Sequence, residues 1–310
     1  MPHAHALRVV CCLSLLGACA TPRPAVPEGA ETVSLLGAPL ASTGLDPERR
    51  TELEADLAAA REAYTADPAS EENLIWLGRR LAYLGKFREA VDVFTRGVAL
   101  HPTSHRLLRH RGHRFITLRR FDDAVRDLER ARRLAERVPD AVEPDGAPNA
   151  AGVPRSTDRS NIDYHLGLAY YLLGRFEEAD RAFARRKNLA AWNDDMLVST
   201  THWRYLALRR VGRDREAGAL LDAVTERMDV IENESYHRIC LMYKGAVPIA
   251  DLVPPPGEAI DPATGYAAAM KMVLDGDADA GRELLERIVR EANWASFGAI
   301  AAEADLARTP

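Results

Sequence analysis

The chain has 310 residues, 47 % apolar, 28 % charged and only 6 % aromatic, with a net charge of −5. This size suits one or two domains, and the composition excludes a polytopic membrane protein and a wholly disordered one. The mild negative charge gives no general attraction to nucleic acid. Ala and Leu abound and β-branched runs are rare, so the chain prefers helices.

Residues 9–16 read VVCCLSLL after Arg8, too short for a permanent membrane span, which needs about 20 residues. A basic residue, a short apolar run and then small residues describe a secretory signal. Leu16-Gly17-Ala18-Cys19 resembles the bacterial lipobox. That resemblance implies a signal peptide over 1–18, cleavage before Cys19, acylation of its sulfur and a membrane-anchored, exported product. Ala20, where an Asp would mark retention in the inner membrane, implies the outer membrane facing the periplasm. Of the four cysteines, Cys11 and Cys12 leave with the signal and Cys19 carries lipid, so Cys240 stands without an intramolecular disulfide partner. Residues 19–46 are rich in Pro, Gly, Ala and Ser and read as a flexible tether. Within them SLLGAPL, at 34–40, is the one apolar patch able to dock on the body.

Internal repeats organise the remainder. An offset of 34 superposes 71–104 on 105–138, and a further 55 continues the columns. Gly78, Gly112 and Gly167 align, as do Ala90, Ala124 and Ala179, then Phe94, Leu128 and Phe183. The pattern resembles the tetratricopeptide repeat (TPR). The resemblance implies an all-α superhelix of about five helix-turn-helix repeats with capping helices, its small residues at close contacts between the two helices of each pair. Repeats one to four cover 47–245 with an inserted loop at 138–159. A Pro-rich connector spans 246–261 and TPR-like helices fill 262–310. Gly85 and Gly174 fall where the turn inside a pair needs a permissive backbone. The glycines should face the alanines, and 292–307 should form a helix that closes the stack.

The stretch 101–120 holds six Arg, four His and no acid. In the repeat frame Arg79, Arg106, Arg109 and His113 fall at positions that, by the resemblance, line a concave groove, and Asn161, Tyr164 and His202 continue it. Arg forks suit carboxylate or phosphate partners; a solvated basic face paired with Asp122 and Asp123 is the competing reading. The inserted loop leaves beside this groove as an ordered lid. Arg111 occupies a normally apolar position, which leaves its packing open. The histidines of 101–113 lack accompanying carboxylates, so a metal is not expected. The acids of 275–286 mimic a calcium loop, but Ala280 stands where Gly is needed, and a repeat turn accounts for them. No nucleophile motif occurs.

These observations predict a lipid-anchored envelope TPR protein, not an enzyme, without cofactor or metal, that binds a protein or peptide in its groove, where the arginines suit an acidic segment. Two alternatives are a hydrolase-like or metal-dependent activity around His202 and His237, and a permanent structural subunit of an envelope assembly.

Overall fold

A computed structural model of the protein describes residues 25–308 apart from 43, 147, 148, 150, 190 and 191. The signal peptide and Cys19 lie outside the described residues. The described chain is a string of antiparallel helices: α1 (Pro47–Ala66), α2 (Glu71–Tyr83), α3 (Phe87–Leu100), α4 (His105–Thr117), α5 (Phe121–Ala135), α6 (Asp158–Leu172), α7 (Phe176–Arg185), α8 (Asp194–Arg210), α9 (Asp214–Leu220), α10 (Glu234–Tyr243), α11 (Pro262–Asp275), α12 (Ala278–Glu291) and α13 (Phe297–Arg308). A small antiparallel hairpin of β1 (Thr32–Val33) and β2 (Pro39–Leu40) precedes them. No described helix is long and apolar enough to cross a membrane.

The first helix of each pair starts on a side-chain cap. Ser70, Ser104 and Asn193 each accept a backbone N–H three residues on, and Thr157 forms a reciprocal cap with Ser160. The second helix follows a tight turn with a basic residue at its mouth, and that residue pairs with an acid in the first turn: Lys86–Glu89 at 3.6 Å, Arg120–Asp123 at 2.7 Å and Arg213–Glu216 at 2.5 Å. An acid there also suits the positive end of the helix dipole.

Close packing within the pairs follows the repeat columns, with one change from expectation. Ala90, Ala124 and Ala179 are fully buried. The nearest neighbour of each glycine is nevertheless the large residue one turn further on. A Cβ on Gly78 would lie 2.4 Å from the Phe94 ring, on Gly112 2.7 Å from Leu128, and on Gly167 2.8 Å from Phe183. The missing side chain makes room for a ring or a Leu rather than for another small residue. The turn column holds Gly85, Gly174 and Gly212 at φ of 75, 76 and 72°, but Arg119 at 59° in the second pair.

The two ends of the chain depart from the sequence reading. Residues 25–42 do not trail as a tether. Thr32 Oγ1 donates to the Leu118 carbonyl at 3.0 Å, the Glu31 carboxylate accepts the Arg88 N–H at 2.8 Å, and Ser42 Oγ donates to the Gly85 carbonyl at 2.7 Å. These bonds tie the hairpin across the turns of the first two pairs. At the other end α13 packs on both α11 and α12, and also reaches back to α6. It is rich in small apolar residues, with Ala299, Ile300, Ala301, Ala302 and Ala304 buried beside the acids Glu303 and Asp305. Gly298 lets it start against α11, where a Cβ would lie 2.0 Å from the Pro262 carbonyl oxygen. The last helix closes the stack from inside its curve instead of capping its end.

The termini meet at one network. Arg119 donates to Glu303 through Nε (3.0 Å) and Nη2 (2.6 Å), and Glu303 Oε1 also accepts the Leu35 N–H at 2.7 Å. Trp294 Nε1 donates to the Ala41 carbonyl at 2.7 Å. The turn at Asp275–Asp277 is the repeat turn, with Gly276 at φ 107° and Asp277 capping α12 through the Ala280 N–H.

Candidate functional site

The first helices of pairs one to four (α2, α4, α6 and α8) line the inner curve, and the inserted loop folds over it. The loop is tied down at both ends. The Asp158 N–H donates to the Ala141 carbonyl at 2.9 Å and the Glu143 N–H to Ser156 at 3.2 Å. Arg155 Nε donates to the buried Asp195 at 2.8 Å, whose carboxylate also accepts backbone N–H groups of Ile231, Glu232 and Asn233. Gly146 lies so close that a Cβ would be 2.1 Å from the Tyr83 hydroxyl. The loop is a folded lid.

Beneath and beside the lid runs a cleft of three joined cavities. One, of about 120 Å³, lies among Tyr83, Phe94, His113 and Arg114. It shares Arg79, Arg109 and Glu143 with a second of about 350 Å³ that extends to Asn149 and Asn161. The third, of about 320 Å³, shares Arg155, Ser156 and Asn161 and ends on Tyr164, His165, Arg186, Tyr236 and Phe297. Arg79, Arg109, His113, Asn161 and Tyr164 are therefore brought together by the fold.

Two residues expected on this surface are not part of it. Arg106 lies outside the cleft lining and pairs with Glu72 at 2.8 Å. His202 is 1 % exposed, bonds the Tyr243 hydroxyl through Nδ1 at 3.0 Å, and lies against Trp203 and Tyr236. It looks into the space between α8 and α10 because α10 packs on the face left open in the repeat frame. His237 bonds the Thr225 carbonyl at 2.7 Å instead, so the two histidines share no partner. Among the described residues no three metal-ligating side chains converge.

Charge accounting of 101–120 resolves the basic stretch. Arg106 pairs with Glu72, Arg109 with Glu143, Arg111 with Asp127, Arg119 with Glu303 and Arg120 with Asp123. Arg111 explains itself here: its Nε and Nη2 form a fork on Asp127 at 2.6 and 2.9 Å. Among the described residues Arg114 alone of the six has no acid within ion-pair distance, and its guanidinium lies over the Phe87 ring. Burial, then Arg109 and Arg79, push its guanidinium down to about 9.

At the other end of the cleft Arg186 is buried and has only neutral partners, Ser199 Oγ at 3.1 Å and Thr200 Oγ1 at 2.6 Å, with the Tyr164 ring beneath it. Burial pushes it down to about 10. The Nε atoms of Arg109 and Arg186 have no hydrogen-bond partner.

Of the four acids on the cleft lining, Glu143, Asp145, Asp195 and Glu232, one stands against Arg79 and Arg109. Glu143, carried by the lid, is 6 % exposed. It approaches Arg109 at 3.2 Å and Arg79 at 4.0 Å, and accepts from Asn161 Nδ2 at 2.8 Å. Burial holds His110, His113 and His165 well below the usual imidazole range, reinforced by neighbouring arginines, so they are neutral at pH 7. The cleft thus carries more cations than acids in a partly desolvated space, an arrangement that an anionic group relieves.

Sequence reasoning missed Arg114, Arg186, Glu143 and Phe297. Arg114 stands one residue past the groove column marked by His113. Phe297 offers no signal, because its helix reaches the cleft by a long-range docking that the repeat pattern does not encode.

No protein-family model and no curated protein matches the sequence. Solved structures similar to the chain include MamA, at 18 % identity over 66 % of this chain and 100 % of that one, with a TM-score of 0.44. A tetratricopeptide repeat protein from Parabacteroides merdae is 13 % identical over 79 % of this chain and 76 % of that one, with a TM-score of 0.47. YrrB, a TPR protein with an unusual peptide-binding site, is 13 % identical over 81 % of this chain and 98 % of that one, with a TM-score of 0.43. At these identities the likeness is one of fold.

Proposed function

We propose that this is an exported, lipid-anchored binding protein of the outer membrane, facing the periplasm, whose concave cleft takes an acidic segment of a partner protein. The observation that carries the reading is Arg114: a guanidinium facing a cavity, beside Arg79 and Arg109, without an acid of its own. The five other arginines of 101–120 each pair with a carboxylate; this one is left for a ligand. The folded lid and α13 narrow the groove, so the partner enters as a short segment rather than as a helix lying along the whole curve. Binding without chemistry is favoured because His202, the centre of the hydrolase-like alternative, is buried against Tyr236 and away from the cleft lining.

Arg114→Met keeps the bulk and removes the charge, and it leaves the lid's contacts to Arg79 and Arg109 in place. A photo-reactive residue at Asn149, on the cleft wall, is used to capture the partner in the native envelope, and affinity is then measured with purified components. Loss of a desolvated charge contact costs about 2–5 kcal/mol, so the variant should bind at least tenfold more weakly. A captured partner that binds Arg114→Met as tightly as the parent protein at physiological salt refutes the reading.

A further inference from the structure

We infer that the tip of the N-terminal hairpin rests on the membrane, so that the solenoid stands on the bilayer by the edge that carries its intra-pair turns. The inference rests on the lipid anchor at Cys19 proposed above, and adds to it a defined surface and a defined orientation.

The first argument is reach. From Cys19 to Ala25, where the described chain begins, there are six residue steps. At about 3.6 Å per residue fully extended, the folded body cannot be held more than about 22 Å from the acylated sulfur. Because residues 25–42 are bonded to the body, no slack is added further on. The segment that carries the hairpin is therefore held near the bilayer, within that reach.

The second argument is what lies there. Leu35 and Leu36, adjacent at the hairpin turn, are 40 and 47 % exposed, and Val26 is 37 % exposed. The turn holds them out rigidly. Ser34 Oγ accepts the N–H groups of Leu36 (3.2 Å) and Ala38 (2.9 Å), and the Leu35 N–H is fastened to Glu303. Two neighbouring leucines held outward on a braced turn have no use within the fold, whereas Leu40 of the same segment packs against the core.

Behind the tip a hollow of about 610 Å³ runs between the hairpin and the second pair's turn, with Val26, Val33, Leu35 and Leu118 on its walls and Arg88 and Arg120 at its margin. Glu28 and Glu31 are the acids of the segment, and Glu31 is engaged with the Arg88 N–H. Apolar side chains flanked by arginines match the boundary between headgroups and acyl chains, into which such surfaces sink by about 5–10 Å.

The full lipidated chain supplies its own test. Cys240 is completely buried and Cys19 is blocked by acylation, so a cysteine placed by Leu36→Cys is the only reactive thiol. Leu100→Cys is the control. Leu100 ends the second helix of the first pair and is 49 % exposed, at the opposite edge, one helix length (about 21 Å) away. Each variant carries an environment-sensitive fluorophore and is reconstituted into vesicles of phosphatidylethanolamine and phosphatidylglycerol with nitroxide-labelled acyl chains. The probe at 36 should be quenched several-fold more than the probe at 100, with a blue-shifted emission. Leu35→Asp should abolish the difference without changing the melting temperature.

Mass spectrometry of the N-terminal peptide reports the anchor separately. Acylated protein whose two probes are quenched alike overturns the docking and leaves the anchor standing; an unacylated Cys19 overturns both. A probe at 36 that is shielded in detergent by a second copy, seen as a dimer by light scattering, assigns the patch to self-association and overturns the membrane assignment.

Discussion

Arg119→Gly puts the sign of a stability change at stake. In the other turns of the first four pairs the equivalent residue is Gly85, Gly174 or Gly212, all with positive φ, and Arg119 adopts φ 59° among them. A non-glycine residue there costs about 1 kcal/mol in backbone strain. On local grounds alone, restoring glycine would stabilise the protein by that amount. The side chain argues the opposite. Arg119 and Glu303 are each 3 % exposed. The guanidinium also donates to the carbonyls of Thr117 (2.6 Å) and Trp294 (3.0 Å), and stacks 5.2 Å above the Trp294 ring.

Deleting one partner of such a pair strands a buried carboxylate and costs about 3–5 kcal/mol. Subtracting the strain leaves a net destabilisation of about 2–4 kcal/mol. Urea unfolding with an unchanged m-value measures it, and hydrogen exchange should show α13 opening first. Adding Glu303→Gln removes the stranded charge and should recover part of the loss, so the two changes will not be additive. An Arg119→Gly protein as stable as the parent, or more so, refutes the claim that this arginine is there to clamp the C-terminal helix.

Two further perturbations have definite directions. His110, His113 and His165 are held well below 6.5 by burial, and His202 is pushed down to about 3. Unfolded imidazoles take up protons as pH falls below about 6.5 while the folded ones do not, so stability drops on acidification by about 1.4 kcal/mol per pH unit for each such histidine. Urea midpoints at pH 7 and pH 5 check this, and His202→Gln should flatten the profile by one proton. Gly298→Ala should cost more than Gly78→Ala, because the first Cβ meets a backbone carbonyl at 2.0 Å and the second a ring edge at 2.4 Å that can rotate; overpacking of the second kind costs about 1–3 kcal/mol, and equal melting temperatures would contradict the geometry.

Much of the scaffold was legible because repetition makes each position testable three times. The columns of Gly78, Ala90 and Phe94 mark a helix pair whatever lies around it, and the turn glycines Gly85 and Gly174 confirm the period. Arg119, at an offset of 34 from Gly85, is the exception that the same alignment contains: a residue that breaks the column is held in place by something outside the repeat. What it holds is Glu303, and a contact across that separation leaves no periodic trace. The apolar count of 34–40 suggested docking, but not which residues would dock. The turn decides it: Ser34 and Leu40 flank it and face the body, while Leu35 and Leu36 sit on it and turn out. His202 was misplaced for a related reason. The repeat frame gives the direction of a side chain on α8 but not the presence of α10 in front of it.

The same principle governs the cleft. Its floor is built from repeat positions, and these were legible as Arg79, Arg109, His113, Asn161 and Tyr164. Its walls come from insertions: the lid supplies Glu143 and Arg155, and α13 supplies Phe297, whose ring lies 5.3 Å from His113 and 5.7 Å from His165. Charge is arranged accordingly. Glu143 neutralises the middle of the cleft, where Arg79, Arg109 and Asn161 converge on it, and leaves Arg114 beyond one end and Arg186 beyond the other without an acid. A ligand that merely replaced Glu143 would expel a carboxylate to install a carboxylate and gain little. A ligand that brings its own anion to Arg114 while the lid stays closed gains a contact the free protein lacks. Affinity should therefore respond more to Arg114 than to Glu143, and Glu143→Gln, which leaves three arginines facing one another, should lower the stability of the empty protein while raising its affinity for the acidic segment.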